Sequence, residues 1–314
     1  MPDDPTYADL LARTDAPAGS TWGLWPGRET LGCLNRIDHG RRQRAASLVR
    51  RGDVYPLDLD PEVPDPPLFS RAPLRREVTW LGEVGHDEIL NGFNTQSSTQ
   101  WDGFRHIRSR EHGFYGGIDD ENHGVHFWAE HGIVTRGVLA DVGRWRESDG
   151  RPLRPGDADV IDPDDVSATL AAQGVTVERG DILVMRTGWT TWYRALDSAG
   201  RAAAASSGTS CGLRAGPRSG ALLWDLGLAA VAADNPALEV FPPGTGREEG
   251  SDPESAFLHF ALLPRLGLPI GELWDLDALA DASAADGVYD FMLTSAPMRL
   301  QHGVATPPHA LAIR

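Results

Sequence analysis

The 314-residue sequence predicts a single α/β domain built on a mixed β-sheet with crossover helices. Three observations carry that prediction. Apolar runs of strand length recur along the chain and end in carboxylates at Asp141, Asp234 and Glu272. Segments with helical start and stop signals separate those runs. No internal repeat, low-complexity tract or linker divides the chain. Residues 1–20 are polar and contain proline, so they read as an N-terminal arm and leave residues 21–314 as the α/β domain.

The elements follow in order. A helix is expected from about Asp38 to Arg51, with Asp38 as N-cap, Ala46, Leu48 and Val49 on its inner side, and Gly52 past its end. Val54 to Leu59 alternates as a strand does. His123 to His131 reads as a helix stopped by Gly132, and Gly137 to Val142 as a buried strand. Asp162-Pro163 opens a helix that runs to Gln173 and stops at Gly174, before the strand Asp181 to Arg186. A short helix at Ser219 to Leu226 precedes the strand Ala229 to Asp234. Asp252-Pro253 starts a helix carrying Phe257, His259 and Phe260, and Leu268 to Glu272 is the strand after it. Such sheets place their chemistry where strands run out into loops.

Composition narrows the function. A net charge of −16 argues against nucleic acid or an anionic membrane as partner, because both need a basic surface. No apolar stretch is long enough to cross a bilayer, and the first 20 residues lack the order of a signal peptide, so a cytoplasmic location is expected. All 29 basic residues are arginine. Without lysine there is no Schiff base, no lysine-anchored pyridoxal phosphate and no Walker-type phosphate loop. The two cysteines, Cys33 and Cys211, are far apart and read as reduced structural thiols.

The densest polar cluster lies between Asn94 and Gly117. Gln96, Gln100, Asp102 and His106 recur at spacings of four, two and four, among hydroxyls and aromatic residues. Amides, a carboxylate and an imidazole mixed with Trp101, Phe104, Phe114 and Tyr115 suit the wall of a pocket. A turn-capping aspartate and a solvated histidine would give the same residue types. Tyr115 with Gly116-Gly117 has the composition of a lid loop. His123, His126 and His131 share one helix without an evident acidic partner and read as surface histidines.

The segment resembles the metal-binding motif His-x-Gly-Thr-His-x-Asp-x-Pro-x-His of the putative cyclase family, the group of bacterial kynurenine formamidases and isatin hydrolases. Thr99, Asp102 and His106 match it, whereas Gln96 and Gln100 stand at the two liganding histidines. The likeness continues through Trp128-Ala129-Glu130, Gly180-Asp181-Ile182-Leu183, Arg186-Thr187-Gly188-Trp189 and Ala233-Asp234-Asn235-Pro236. It ends with His259 and Glu272, thirteen residues apart. The resemblance implies a partly barrel-like, swivelling β/β/α fold and a homodimer or homotetramer.

For function, the resemblance implies a hydrolase that cleaves a C–N or C–O bond of a small amide, lactam or lactone. The implied ligands of a divalent ion are Asp102, Gln100, His259 and Glu272, with Gln96 as a further ligand or a donor behind them, and His106 moves the proton. Amide oxygens in place of two imidazoles favour manganese or magnesium over zinc. The alternative is a metal-free acid/base pair of Asp102 and His106, which would suit a ring-closing or dehydrating lyase. A third reading is a non-catalytic binding protein that has kept the fold. Trp101, Phe104, Arg105, Tyr115 and Trp189 are the expected substrate-binding residues, and Arg105 or Arg108 could hold a substrate carboxylate. On residue type alone, His259 between Phe257 and Phe260 reads as a core residue and Glu272 as a solvated strand end.

Overall fold

The computed structural model describes residues 4–247 and 253–314. Its strands are β1 (Val54–Pro56), β2 (Arg75–Trp80), β3 (His86–Asn91), β4 (Gln100–Asp102), β5 (Ile133–Asp141), β6 (Val160–Ile161) and β7 (Ile182–Arg186). After them come β8 (Gly212–Leu213), β9 (Ala230–Ala233), β10 (Ile270–Glu272), β11 (Asp290–Ser295), β12 (Ala305–Thr306) and β13 (Ala310–Ile313). Nine of them form one curled, half-barrel sheet in the order β1-β13-β11-β5-β7-β9-β10-β4-β12. The centre, β5-β7-β9-β10, is parallel, and antiparallel strands flank it on both sides.

The sequence explains that arrangement. The runs in β5, β7 and β9 are apolar almost throughout and buried along nearly their whole length, as strands covered on both faces must be. Helices Val142–Ser148 and Pro163–Ala172 make the crossover from β5 to β7. The second is opened by Asp162, whose carboxylate caps it reciprocally with Asp165, and Pro163 occupies its first turn. At the flank, β11 alternates buried and half-exposed residues, and Phe291 lies beneath Gly137 of β5, where a Cβ would approach its ring to 2.3 Å.

Strands and helices expected after residue 133 stand in place; most ends shift by a residue or two, while β5 begins four residues before the expected Gly137. Earlier elements differ more. The helix after Asp38 covers only His39–Ala46 and turns Ala45 inward, not Ala46, Leu48 or Val49, because its arginine-rich surface offers no apolar stripe to prolong it. β1 stops at Pro56, which has no N–H to continue a ladder. The helix expected from His123 begins at His126. Neither His123 nor His126 is a surface residue: His123 Nε2 meets the Tyr115 carbonyl at 2.8 Å, and the His302 N–H donates to His126 Nδ1. Phe257 and His259 follow a 3-10 turn at Pro253–Ala256 and lie at the start of a short helix, Leu258–Ala261; the expected N-cap, Asp252, is outside the described residues.

Residues Tyr7–Leu11 form a short helix that buries Tyr7 and Leu10, with the Tyr7 N–H held by Asp225. Cys33 and Cys211 are buried free thiols, both pushed up to about 12 by burial, which keeps them inert. Among the described residues no helix is long and apolar enough to cross a membrane.

Phe291→Ala removes a fully buried ring whose place Gly137 cannot refill. Urea unfolding is expected to show a loss of about 3–5 kcal/mol with the m-value unchanged.

Candidate active site

The antiparallel seam between β4 and β10 sets the site. Its register pairs Glu272 with Gln100 and Ile270 with Asp102. Side chains alternate along a strand, so Gln100, Asp102 and Glu272 project from one face while Trp101 projects from the other. Trp101 packs edge-on against Trp274 at 4.8 Å and donates its indole N–H to Ser295 at 3.0 Å. The same alternation that presents the two polar neighbours to the site commits Trp101 to the core.

His259 arrives from the Leu258–Ala261 helix and lies among three buried carboxylates. Its Nδ1 is 3.0 Å from both oxygens of Glu239, and its Nε2 is 3.1 Å from Glu272 Oε1 and 3.6 Å from Asp102 Oδ2. Glu239 reaches it because Gly212 admits the Glu239 backbone: a Cβ on Gly212 would stand 2.3 Å from the Glu239 carbonyl carbon. Phe257 stacks flat on the imidazole at 4.4 Å. Burial opposes the imidazolium, but Glu239, Asp102 and Glu272 outweigh it and hold His259 protonated well above its ordinary value. Burial, reinforced by the Asp102 charge, pushes Glu272 up to about 7, while the two histidines and Arg71 hold Asp102 below the usual carboxylate value against its own burial.

Two amides clamp the carboxylates. Gln100 Nε2 donates to Glu272 Oε2 at 2.5 Å. Gln96 Nε2 donates to Asp102 Oδ1 at 2.7 Å and lies 3.0 Å from His106 Nδ1. The Asp102 carboxylate therefore fixes the orientation of the Gln96 amide, since the flipped amide would set two oxygens against each other. With the second amide hydrogen directed at Nδ1, His106 carries its own proton on Nε2. Desolvation lowers its pKa and keeps the ring neutral. His106 Nε2 is 3.7 Å from Asp102 Oδ2, and its side chain is 23% exposed.

These groups open onto a cavity of about 110 Å³, walled by Phe69, Pro236, Ala237, Phe241 and Phe257, with Arg71, His106, His259 and Glu272 at its polar surfaces. Asp102, His106 and His259 form a candidate metal-binding triad, with one donor atom of each within 4.8 Å of the others. The donor chemistry fits a cation. Asp102 Oδ2 and Gln100 Oε1 are buried without a hydrogen-bond partner, and three carboxylates surround a single imidazole. Glu239, holding Nδ1, leaves Nε2 of His259 to face the other two carboxylates, the carboxylate–histidine arrangement typical of metal ligands. His106 differs from the other two, because an Nε2 that carries a proton donates and does not ligate.

Of the residues expected at the site, Gln96, Gln100, Asp102, His106, His259 and Glu272 come together, and Gln96 takes the donor position. Trp101, Phe104, Tyr115 and Trp189 do not join them. Phe104 packs among Tyr115, His123 and Trp128, and Trp189 stacks on Tyr193 at 4.9 Å. Tyr115 is buried, bonded to Thr21 at 2.8 Å, so its loop is a packed element and not a lid. Arg105 is occupied by Asp120 at 2.6 and 2.7 Å, and Arg108 is exposed away from the cavity. The strand-end carboxylates Asp141 and Asp234 are structural: Asp141 caps a helix and pairs with Arg186, and Asp234 accepts from both Thr187 groups and the Gly188 N–H.

Sequence reasoning missed Glu239 and Arg71. Glu239 is a lone acid in the apolar run Ala237 to Phe241, the one signal that it faces something polar. Arg71 carries no signal of its own.

A sequence profile of the family described as Putative cyclase matches residues 55–240. A crystal structure described as a novel cyclase is similar over 94% of this chain and 99% of its own, at 28% identity and a TM-score of 0.80. An isatin hydrolase bound to the product analogue thioisatinate matches 85% of this chain and 93% of its own, at 17% identity and a TM-score of 0.56. Isatin hydrolase A from Ralstonia solanacearum matches 86% and 94%, at 14% identity and a TM-score of 0.57. At those identities the two hydrolases share the fold. None of the functionally curated proteins matches the chain by sequence.

The amide clamp makes a spectroscopic prediction. At pH 7 the ¹⁵N shifts of His106 are expected to report a neutral ring with the proton on Nε2, and Gln96→Ala is expected to release that tautomer preference. An Nδ1-protonated ring in the wild type would contradict the assigned hydrogen bond.

Proposed function

The chain belongs to the putative cyclase family, and we propose that it is a hydrolase opening a C–N or C–O bond in a small amide, lactam or lactone. One observation carries the reading: Glu239 turns Nε2 of His259 toward Asp102 and Glu272, beside a neutral His106, at the edge of a small apolar cavity. Asp102, His259 and Glu272, with the free oxygen of Gln100, would hold a divalent ion, manganese or magnesium suiting so oxygen-rich a set. When bound, such an ion would supply a Lewis acid and a water more acidic than bulk water.

The protein's own groups do the rest. His106 would donate a hydrogen bond from its neutral Nε2–H to the carbonyl oxygen, where negative charge develops, and Gln96 holds the ring in that orientation. Glu239 fixes the tautomer and the angle of His259. Phe69, Phe241 and Phe257 exclude bulk water, so charge that develops on the carbonyl meets fixed dipoles instead of solvent.

A specific observation favours a second reading. As an imidazolium, His259 would have a carboxylate at each N–H, so the cluster is also complete without an ion. That is the resting state of an acid/base site for ring closure or dehydration.

Elemental analysis separates the two. Wild-type protein prepared without chelator is expected to carry about one equivalent of a divalent metal and Asp102→Ala none, alongside turnover of an amide and lactone panel. A metal-free wild type that catalyses ring closure would establish the second reading. His106→Ala is expected to lower kcat by about 10²–10³-fold; an unchanged rate would remove His106 from the mechanism, and ligand binding without any turnover by the wild type would leave a binding protein.

A further inference from the structure

The cleft contains one cation that its neighbours leave available. Arg71 borders the cavity, its Nη1 donates to the Gln96 carbonyl, and its guanidinium lies 5.2 Å from the centre of the Phe69 ring. Among the described residues it has no carboxylate within ion-pair distance. Most of the other enclosed arginines are paired with acids: Arg36 with Asp4 at 2.8 Å, Arg136 with Asp181 at 2.7 Å, Arg146 with Asp165 at 2.8 Å, and Arg186 with Asp141 at 3.1 Å. Arg42, half-buried and also without a carboxylate among the described residues, is instead spent on the His131 ring and on the His131 and Gly132 carbonyls. In a chain of net charge −16, acids are plentiful, so a half-buried guanidinium left without one has donors to spare.

A second observation is the backbone that delivers it. Phe69 and Ser70 are consecutive non-glycine residues with φ of 57°, in the left-handed region. That conformation is unfavourable for any side chain with a Cβ, and most plainly for a bulky one such as Phe69. The result of that strained pair is that Phe69 and Arg71 both face the cavity while Ser70 is exposed. Strain of this sort persists where surrounding structure holds it, and it concentrates at ligand clamps. Phe241 packs edge-on against Phe69 at 5.0 Å, so the two rings form one wall, and Phe257 stacks on His259. The cavity is thus a small slot with an aromatic wall, a guanidinium at its border and the His106 and His259 imidazoles at its polar surface.

Resting on the hydrolase reading of this site, we propose that Arg71 determines specificity: it recognises a carboxylate on a planar substrate whose body lies against Phe69, Phe241 and Phe257. The guanidinium offers a planar fork matched to a carboxylate, and the aromatic wall lowers the local polarity that would otherwise weaken the pair. Gln96 links the two ends of the slot, since its carbonyl anchors Arg71 while its side chain orients His106.

Calorimetric titration of the full chain with benzoate, and with benzamide as its neutral counterpart of the same shape, tests this without turnover. Wild type is expected to bind benzoate at least about tenfold more tightly than benzamide. Arg71→Met is expected to weaken benzoate by about 10- to 100-fold and to leave benzamide within twofold, with Arg71→Lys recovering part of the loss. Equal binding of the two ligands, no benzoate binding by the wild type, or full benzoate affinity in Arg71→Met would each overturn the proposal; the last would place the anion at His106 and His259. Should Arg71→Met lose benzamide too, Arg71→Gln decides, and loss of both ligands there makes Arg71 structural. Selective benzoate binding without turnover of any amide or lactone would overturn the hydrolase reading alone.

Discussion

Everything at this site answers to one electrostatic constraint: three carboxylates, Asp102, Glu239 and Glu272, are buried around a single imidazole. Removing that many like charges from water is costly unless each finds a partner. His259 serves all three, and a negative surplus remains even when it is doubly protonated. A proton on Glu272, which burial has moved to about 7, relieves part of it, and a divalent cation would relieve more. The same surplus accounts for the orphaned oxygen of Asp102, the charge on His259 and the placement of Arg71 nearby.

The two glutamines make sense against that constraint. An imidazole at position 96 or 100 would bring another nitrogen ligand. An amide instead brings neutral N–H donors, and each glutamine spends one of them on a carboxylate: Gln100 on Glu272, Gln96 on Asp102. Their role is thus to hold oxygens in place, and for Gln96 also to set the tautomer of His106. A neutral clamp satisfies a carboxylate without cancelling its charge, so the surplus that attracts a cation survives. In the proposed metal site, glutamine at these positions would move the ligand set toward Asp102, His259 and Glu272 and leave the reason for holding an ion intact.

How much of this was legible in the sequence follows from the range of each interaction. The apolar stretches of β5, β7 and β9 and the helix after Asp162 are local facts: short hydrophobic runs such as residues 138–140, 182–185 and 230–233, and a carboxylate-proline start, visible in windows of ten residues. Asp102 and His106, four residues apart, are equally local. Glu239 is bonded to a residue 20 positions away and Gln100 to one 172 away, and although each position can look polar in sequence, nothing near it names its partner. Trp101 shows a different failure. β4 has three residues, too few for alternation to be read, so an aromatic between two site residues looked like part of the same wall. Phe104, Tyr115 and Trp189 were misplaced for the same reason, because aromatic composition is shared by pockets and cores.

What the fold adds is direction along the slot. Negative charge is concentrated behind His259, positive charge sits at Arg71, and the phenylalanine rings between them cannot hydrogen-bond to anything. A rigid, planar ligand in a cavity of about 110 Å³ has little freedom to tumble. Its orientation is set by which end carries charge, since an anion turned toward Asp102 and Glu272 would face like charges. Reversing the ligand exchanges an attraction for a repulsion in a setting of low polarity, where both are strong. Orientation of that kind contributes to a rate by presenting one carbonyl to His106 before any bond changes. On the proposed reading the strained turn at Phe69 and Ser70 would thus serve to orient the ligand, although neither residue carries a group that reacts.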